Sequence, residues 1–260
     1  MIKFISLISG SSGNAAFISD GKTNLLIDCG MSGTKLKDAL HSIDELPENI
    51  DALLITHEHI DHTKGAGVIS RRYNIPVYAT KGTHLHMDAG KIADENIHII
   101  KDSVPFEIGN IGIMPFSIPH DASEPVGFTF SMNGERHALA TDIGRMNDNI
   151  LDSIKGCKHV LLESNHDVEM LRCGSYPFPL KQRILGDFGH LSNDVAAQTA
   201  LTLIQNGTEH IMLGHLSQEN NRPEIAMLES YNLLTRSGVN IGNDVTLQVA
   251  DRYKPTLFKR

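Results

Sequence analysis

At 260 residues the chain is long enough to bury a substantial core, and a single domain spanning 1–260 is the expectation at that size. Its formal charge of −8 argues against broad, sequence-independent wrapping of a duplex, since two bound divalent ions would bring it only to −8 + 4 = −4. No apolar run approaches the ~18–20 residues that span a bilayer, and Cys29, Cys157 and Cys173 form neither a CxxC pair nor an even set, so the expected setting is a reducing cytoplasm with no membrane partner.

Apolar runs at 2–8, 15–19 and 24–28 open the chain and read as consecutive antiparallel strands. The first is broken by serines and is too short for a signal-peptide core. Between the first two lies Ser9-Gly10-Ser11-Ser12-Gly13-Asn14, a hairpin turn whose amides are alternatively open to an anion. Asp28-Cys29-Gly30 ends the third strand. Ser32 then precedes an amphipathic helix over 35–43.

Ala52-Leu53-Leu54-Ile55-Thr56 predicts a buried strand, and three imidazoles and two carboxylates follow at once in His57-Glu58-His59-Ile60-Asp61-His62. Such a cluster is costly to fold unless a cation binds it. His57 and His59 sit two apart and can converge on one ion from an extended backbone, leaving Asp61 and His62 to turn toward a second. Neutral imidazoles and a carboxylate suit Zn, Mn or Fe. A helix over 63–72 and a strand over 75–79 would complete a strand-helix-strand unit, with the cluster in the loop where α/β proteins commonly place their sites. His84 and His86 repeat the HxH spacing, but the segment reads as helical, which aims the two rings at different faces.

Strands are expected next at 97–100, 104–108, 111–118, 126–132 and 137–141. His120 and Asp142 stand just past the ends of two of them. Each alone would more often be a turn residue. Strand and helix then alternate: helix 147–154, strand 159–163, helices 167–172, 179–185 and 193–205, strand 209–213, helix 223–236 and strand 245–250. His215 is again placed directly after an apolar strand. Ser192 is in position to cap the helix from Asn193 and leave amides facing outward for a phosphate. His190 would then touch that phosphate or protonate a leaving oxygen. Arg71, Arg72, Lys181, Arg183, Arg222, Arg252, Lys254, Lys259 and Arg260 are the candidates for a local basic groove.

His57, His59, Asp61, His62, His120, Asp142 and His215, in this order and at strand ends, resemble the metallo-β-lactamase fold superfamily over essentially the whole chain. The resemblance implies a four-layer αβ/βα sandwich, an α/β fold of two mixed sheets flanked by helices. It also implies two divalent metal ions, with His57, His59 and His120 on one, Asp61, His62 and His215 on the other, and Asp142 bridging. A bridging carboxylate can hold two ions at ~3.5–4 Å with a nucleophilic hydroxide between them. Ser9 to Ala15, Glu163 to Asp167 and Gly189 to Asn193 further resemble the YycJ/WalJ (VicX) group of bacterial metallohydrolases.

That group implies a 5′-to-3′ exonuclease acting on DNA, with Asp61 and His190 catalytic and Ser192, Asn193, Asn165 and His166 facing substrate. The chemistry of such a centre would equally serve a thioesterase, lactonase or cyclic phosphodiesterase. An exported β-lactamase fits less well, and a diiron oxygen reductase would expect a carboxylate where His59 stands. A non-catalytic accessory protein of a two-component signalling system, with purely structural metals, is the remaining alternative.

Overall fold

A computed structural model of the chain describes residues 2–258. It contains two seven-stranded sheets, both mixed, with helices packed against them. The described residues fall into two compact units, one holding the chain up to Ser117, Ala122–Gly134 and Asp251–Leu257, the other Ile118–Asp121, Glu135–Ala250 and Phe258.

The first unit opens with β1 (Lys3–Ile8), β2 (Ala15–Ser19) and β3 (Asn24–Ile27), antiparallel as expected. After α1 (Gly33–His41) the chain returns through β4 (Ala52–Leu54), which pairs parallel to β3. Every residue of β4 is buried, the pattern of a strand covered on both faces. Two helices follow in place of the single one expected, α2 (Ile60–Thr63) and α3 (Ala66–Tyr73). The break falls at Gly65, where a Cβ would stand 2.3 Å from the Met31 carbonyl oxygen.

Parallel β5 (Val77–Thr80), helix α4 (Lys81–His86) and β6 (Ile97–Ile100) complete that side of the unit. An antiparallel meander of β7 (Phe106–Ile108), β8 (Ile111–Ser117) and β9 (Val126–Met132) belongs to the same unit. Its apolar core gathers Leu7, Phe17, Leu26 and Leu53 from the strands with Leu36 and Ile69 from α1 and α3.

The second unit is built on four parallel strands: β10 (Glu135–Ala140), β11 (His159–Glu163), β12 (His210–Gly214) and β13 (Thr246–Val249). Its helices are α5 (Asp148–Ile154), α6 (Val168–Cys173), α7 (Phe178–Leu185), α8 (Asn193–Gln205) and α9 (Pro223–Arg236). Of these, α5 packs on β10, α8 on β11 and α9 on β13. Helices that connect parallel strands in this way bury the sheet and leave the strand C-termini open for chemistry. A last short strand, β14 (Thr256–Leu257), pairs with β1 in the first unit and has no counterpart in the sequence reading. No helix among the described residues is long and apolar enough to cross a membrane.

Candidate metal centre

In the first unit the histidine loop is held by its own backbone. Asn14 N donates to Asp61 O at 2.8 Å, Cys29 N to His62 O at 2.7 Å and Gly65 N to Cys29 O at 2.8 Å. Gly30 is required where these segments cross, because a Cβ there would stand 1.7 Å from Asp61 O. The Ser9–Asn14 turn is therefore closed on itself and on the loop: Gly10 N donates to Asn14 Oδ1 at 3.0 Å and Gly13 N to Gly10 O at 3.0 Å.

Within that frame three imidazoles converge. The ring centres of His57 and His59 are 4.6 Å apart, those of His57 and His62 4.1 Å, and His57 Nε2 lies 3.0 Å from His59 Nδ1. Asp28, at the end of β3, sits beneath them. Its carboxylate accepts from Thr56 N at 2.9 Å and stands 2.8 Å from His62 Nδ1. Burial pushes the Asp28 carboxyl up, against the pull of His62. With Nδ1 donating to Asp28, the lone pair of His62 lies on Nε2, which is 3.5 Å from Asp61 Oδ2.

The second unit repeats the arrangement around Glu163, the last residue of β11. Glu163 Oε1 lies 2.9 Å from both His190 Nδ1 and His215 Nδ1, while Oε2 accepts from Ile143 N at 2.8 Å and Leu191 N at 3.0 Å. Burial acts to raise this carboxyl, but the His190 and His215 imidazoles outweigh it and hold Glu163 well below the usual carboxylate range. Asp142 Oδ1 is 3.3 Å from His215 Nδ1 and 3.7 Å from His120 Nε2. His120 Nδ1 stands 3.2 Å from the Gly189 carbonyl oxygen. Burial lowers the His120 pKa, helped by His190 and opposed by Asp142, which keeps the ring neutral.

His62, His120, His190 and His215 thus share one feature. Each has Nδ1 against a buried oxygen acceptor, which fixes the tautomer with its lone pair on Nε2. Imidazoles oriented in this way, beside Asp61 and Asp142, are the donor set a divalent ion of the zinc or manganese class requires, so the residues fit the group the sequence implies. Asp28, Asp142 and His215 all take left-handed backbone angles, φ 59°, 62° and 55°, which turn the chain out of its strand just where each side chain enters the candidate centre.

Other expected positions have different surroundings. Asn165 donates to the His215 carbonyl oxygen at 2.9 Å, so it braces the end of β12. Asn193 is buried among Ser164 and Asn221, with Ser164 Oγ 2.6 Å from its Oδ1. His166 is 1% exposed, burial brings its pKa down to about 4, and neither ring nitrogen has a hydrogen-bond partner among the described residues.

Two corrections follow at α8. Ser192 makes no side-chain cap, and the Asn193 amide does not face outward. Ser192 instead pairs by backbone with His166, and Asn193 N donates to His166 O at 2.9 Å, so the main chain takes up the first amide of the helix. His84 and His86 do turn apart, one toward the His98 carbonyl and the other toward that of Gly82, and they join no metal-ligating group among the described residues. Of the basic candidates, Arg71 is tied to the Ala89 and Lys91 carbonyls, Lys181 to that of Arg172, and Arg183 to Asp121. Lys259 and Arg260 lie outside the described residues.

Sequence reasoning passed over Asp28 and Glu163 as parts of the centre. The signal was present in both, since each is an acid at the C-terminal end of an apolar strand, Asp28 directly after β3 and Glu163 as the last residue of β11, much as Asp142 and His215 stand just beyond theirs.

A family model described as "Beta-lactamase superfamily domain" matches residues 23–216. The chain is 40% identical to the exodeoxyribonuclease WalJ of Streptococcus pneumoniae serotype 2 (strain D39 / NCTC 7466), over 93% of this chain and 91% of that one. It is 39% identical to the exodeoxyribonuclease YycJ of Bacillus anthracis, over 98% and 97%. Among solved structures, the metallo-β-lactamase fold protein YhfI of Bacillus subtilis superposes with a TM-score of 0.71 over 99% of this chain and all of that one, at 14% identity, a likeness of fold.

Proposed function

Because the chain belongs to the β-lactamase superfamily, and within it to the family that holds the exodeoxyribonucleases WalJ and YycJ, we propose that it is a metal-dependent phosphodiesterase that removes nucleotides from the 5′ end of DNA. The observation that carries the substrate class is the near-complete span of the identity, 98% of this chain and 97% of the YycJ chain.

In this reading the two units are halves of one metallo-β-lactamase domain. His57, His59 and His120 would hold one divalent ion and Asp61, His62 and His215 a second, with Asp142 available to both. When bound, the ions supply Lewis acidity, lowering the pKa of a water and neutralising charge on the phosphoryl oxygens. The protein's part is orientation. Asp28 fixes the tautomer of His62, and Glu163 fixes those of His215 and His190 together. Asp61, a fifth exposed, is the acid on the histidine loop that can orient the attacking water.

His190 is the partly exposed member of the Glu163 pair, so its Nε2 is assigned the contact with the scissile phosphate and, when the ring is protonated at both nitrogens with Nδ1–H kept on Glu163, the proton the leaving oxygen takes. Ser192 and His166 are assigned to the phosphate on the same side, and Asn165 and Asn193 to supporting that wall. A reducing cytoplasm is the compartment assigned, consistent with Cys29, Cys157 and Cys173 all being free thiols.

Oligonucleotides labelled at one end or the other, incubated with enzyme loaded with Zn, Mn or Fe, test the proposal. Early release of the 5′ label as a mononucleotide is expected, with Asp61→Ala abolishing it. No shortening under any of the three ions would overturn the nuclease reading in favour of a small-substrate hydrolase.

A further inference from the structure

The strands that end at Asp142, Glu163 and His215 begin, at the opposite edge of the second unit, with a row of histidines. His137 is in register with His159, and His159 with His210, so three imidazoles stand side by side on one face of β10, β11 and β12. At ~3.3 Å per residue, four or five residues of strand separate this row from the candidate centre by roughly 13–17 Å.

The row is ordered. His159 stacks on His210 with ring centres 4.3 Å apart and 19° between planes, and Phe258 meets His159 edge-on. His210 Nδ1 is engaged with Thr246 Oγ1 at 2.7 Å. The other two rings face each other, His137 Nδ1 lying 3.1 Å from His159 Nδ1. Glu135 supplies an acid on the same strand as His137, and one oxygen of its carboxylate and one ring nitrogen of each histidine all lie within 4.8 Å of one another. Burial keeps both rings neutral, bringing the pKa of His137 down to about 4 and that of His159 to about 3.

We propose that Glu135, His137 and His159 form a further metal site, separate from the candidate centre, that takes a divalent ion of the zinc class. Two imidazole nitrogens bound to one tetrahedral zinc at 2.0–2.1 Å stand about 3.3 Å apart, so the observed spacing needs to open by only a few tenths of an ångström. With both Nδ1 atoms on the ion, the ring that now carries a proton at Nδ1 carries it at Nε2 instead, and no net proton is released. Water fills the fourth position. Lys158 is the competitor: its ammonium lies 2.6 Å from Glu135 Oε1, and 3.6 Å from Glu209 Oε2, to which it can turn when an ion arrives. The bound ion would join β10 to β11 at the edge remote from the reaction.

The test is zinc titration of the full-length, chelator-stripped protein by calorimetry, with metal content measured after dialysis. His159→Gln and Glu135→Gln are each expected to bind one zinc equivalent fewer than the wild type, and Lys158→Gln to bind the same number with that equivalent held more tightly. Far-UV circular dichroism of the metal-free variants checks folding, and the part-exposed Glu135→Gln stands in if His159→Gln fails to fold. His57→Ala is expected to keep this equivalent whatever becomes of the nuclease reading. Equal zinc binding by wild type, His159→Gln and Glu135→Gln would overturn the proposal.

Discussion

Glu163 accepts four hydrogen bonds, two on each oxygen, from the Ile143 and Leu191 amides and the His190 and His215 rings. Only a carboxylate has acceptors enough for all four. Glu163→Gln sets an NH2 group against two of the donors and frees one or both rings to rotate. Loss of such a partner typically costs about 10- to 100-fold in metal affinity or activity. That range is expected for kcat/KM on a 5′-labelled oligonucleotide, and an unchanged rate would remove Glu163 from the mechanism.

The cysteines give a second residue-scale expectation, tied to pH. Burial pushes the Cys29 thiol up to about 12 and the Cys157 thiol up to about 11, while Cys173 is exposed. A raised thiol pKa keeps the unreactive SH form as pH rises. Alkylation of the native protein at pH 8, followed by peptide mass mapping, should therefore modify Cys173 and spare the other two. Raising the pH to 10 should still leave Cys29 protected, and its rapid labelling there would contradict the burial argument.

At the scale of elements, the helix starts differ in what holds them. Asn147 caps α5 through its side chain, accepting from Ile150 N at 3.0 Å, whereas α8 begins on a backbone pairing between Ser192 and His166. Asn147→Ala should cost about 0.5–2 kcal/mol in urea unfolding, the usual loss for a cap, and Ser192→Ala only a few tenths. A loss of a full cap's worth at Ser192 would mean that its hydroxyl does bond the first turn.

The same contrast explains what could be read from the chain. Most strands and helices were legible because apolar periodicity is local, and β11, α8 and α9 carry it end to end. His57, Asp142 and His215 were legible because a polar residue following a buried strand breaks that period. The Ser192 cap misled because sequence proximity to a helix start says nothing of a partner 26 positions earlier, His166. Asp28 and Glu163 escaped notice for a related reason: their roles lie in hydrogen bonds to His62 and His215, 34 and 52 positions away. The two-residue β14 is likewise made by its pairing with β1 rather than by any pattern of its own.

For the molecule as a whole, charge decides how it can meet DNA. A chain at −8 that gains at most +4 from two ions remains acidic, and Arg71, Lys181 and Arg183 are already held by protein carbonyls or by Asp121. On the proposed function, affinity is then expected to come chiefly from the few phosphates that reach the metals rather than from a basic track along the strand. Each single-strand phosphate neutralised contributes about −0.7 to the slope of log K against log salt, so an enzyme gripping two or three phosphates should give a slope between about −1.4 and −2.1. Binding of single-stranded DNA to the Asp61→Asn variant, which leaves the substrate uncut, measures this directly across 50 to 300 mM salt. A slope steeper than about −4 would require six or more neutralised phosphates, and with them a cationic path that the acidic composition does not supply.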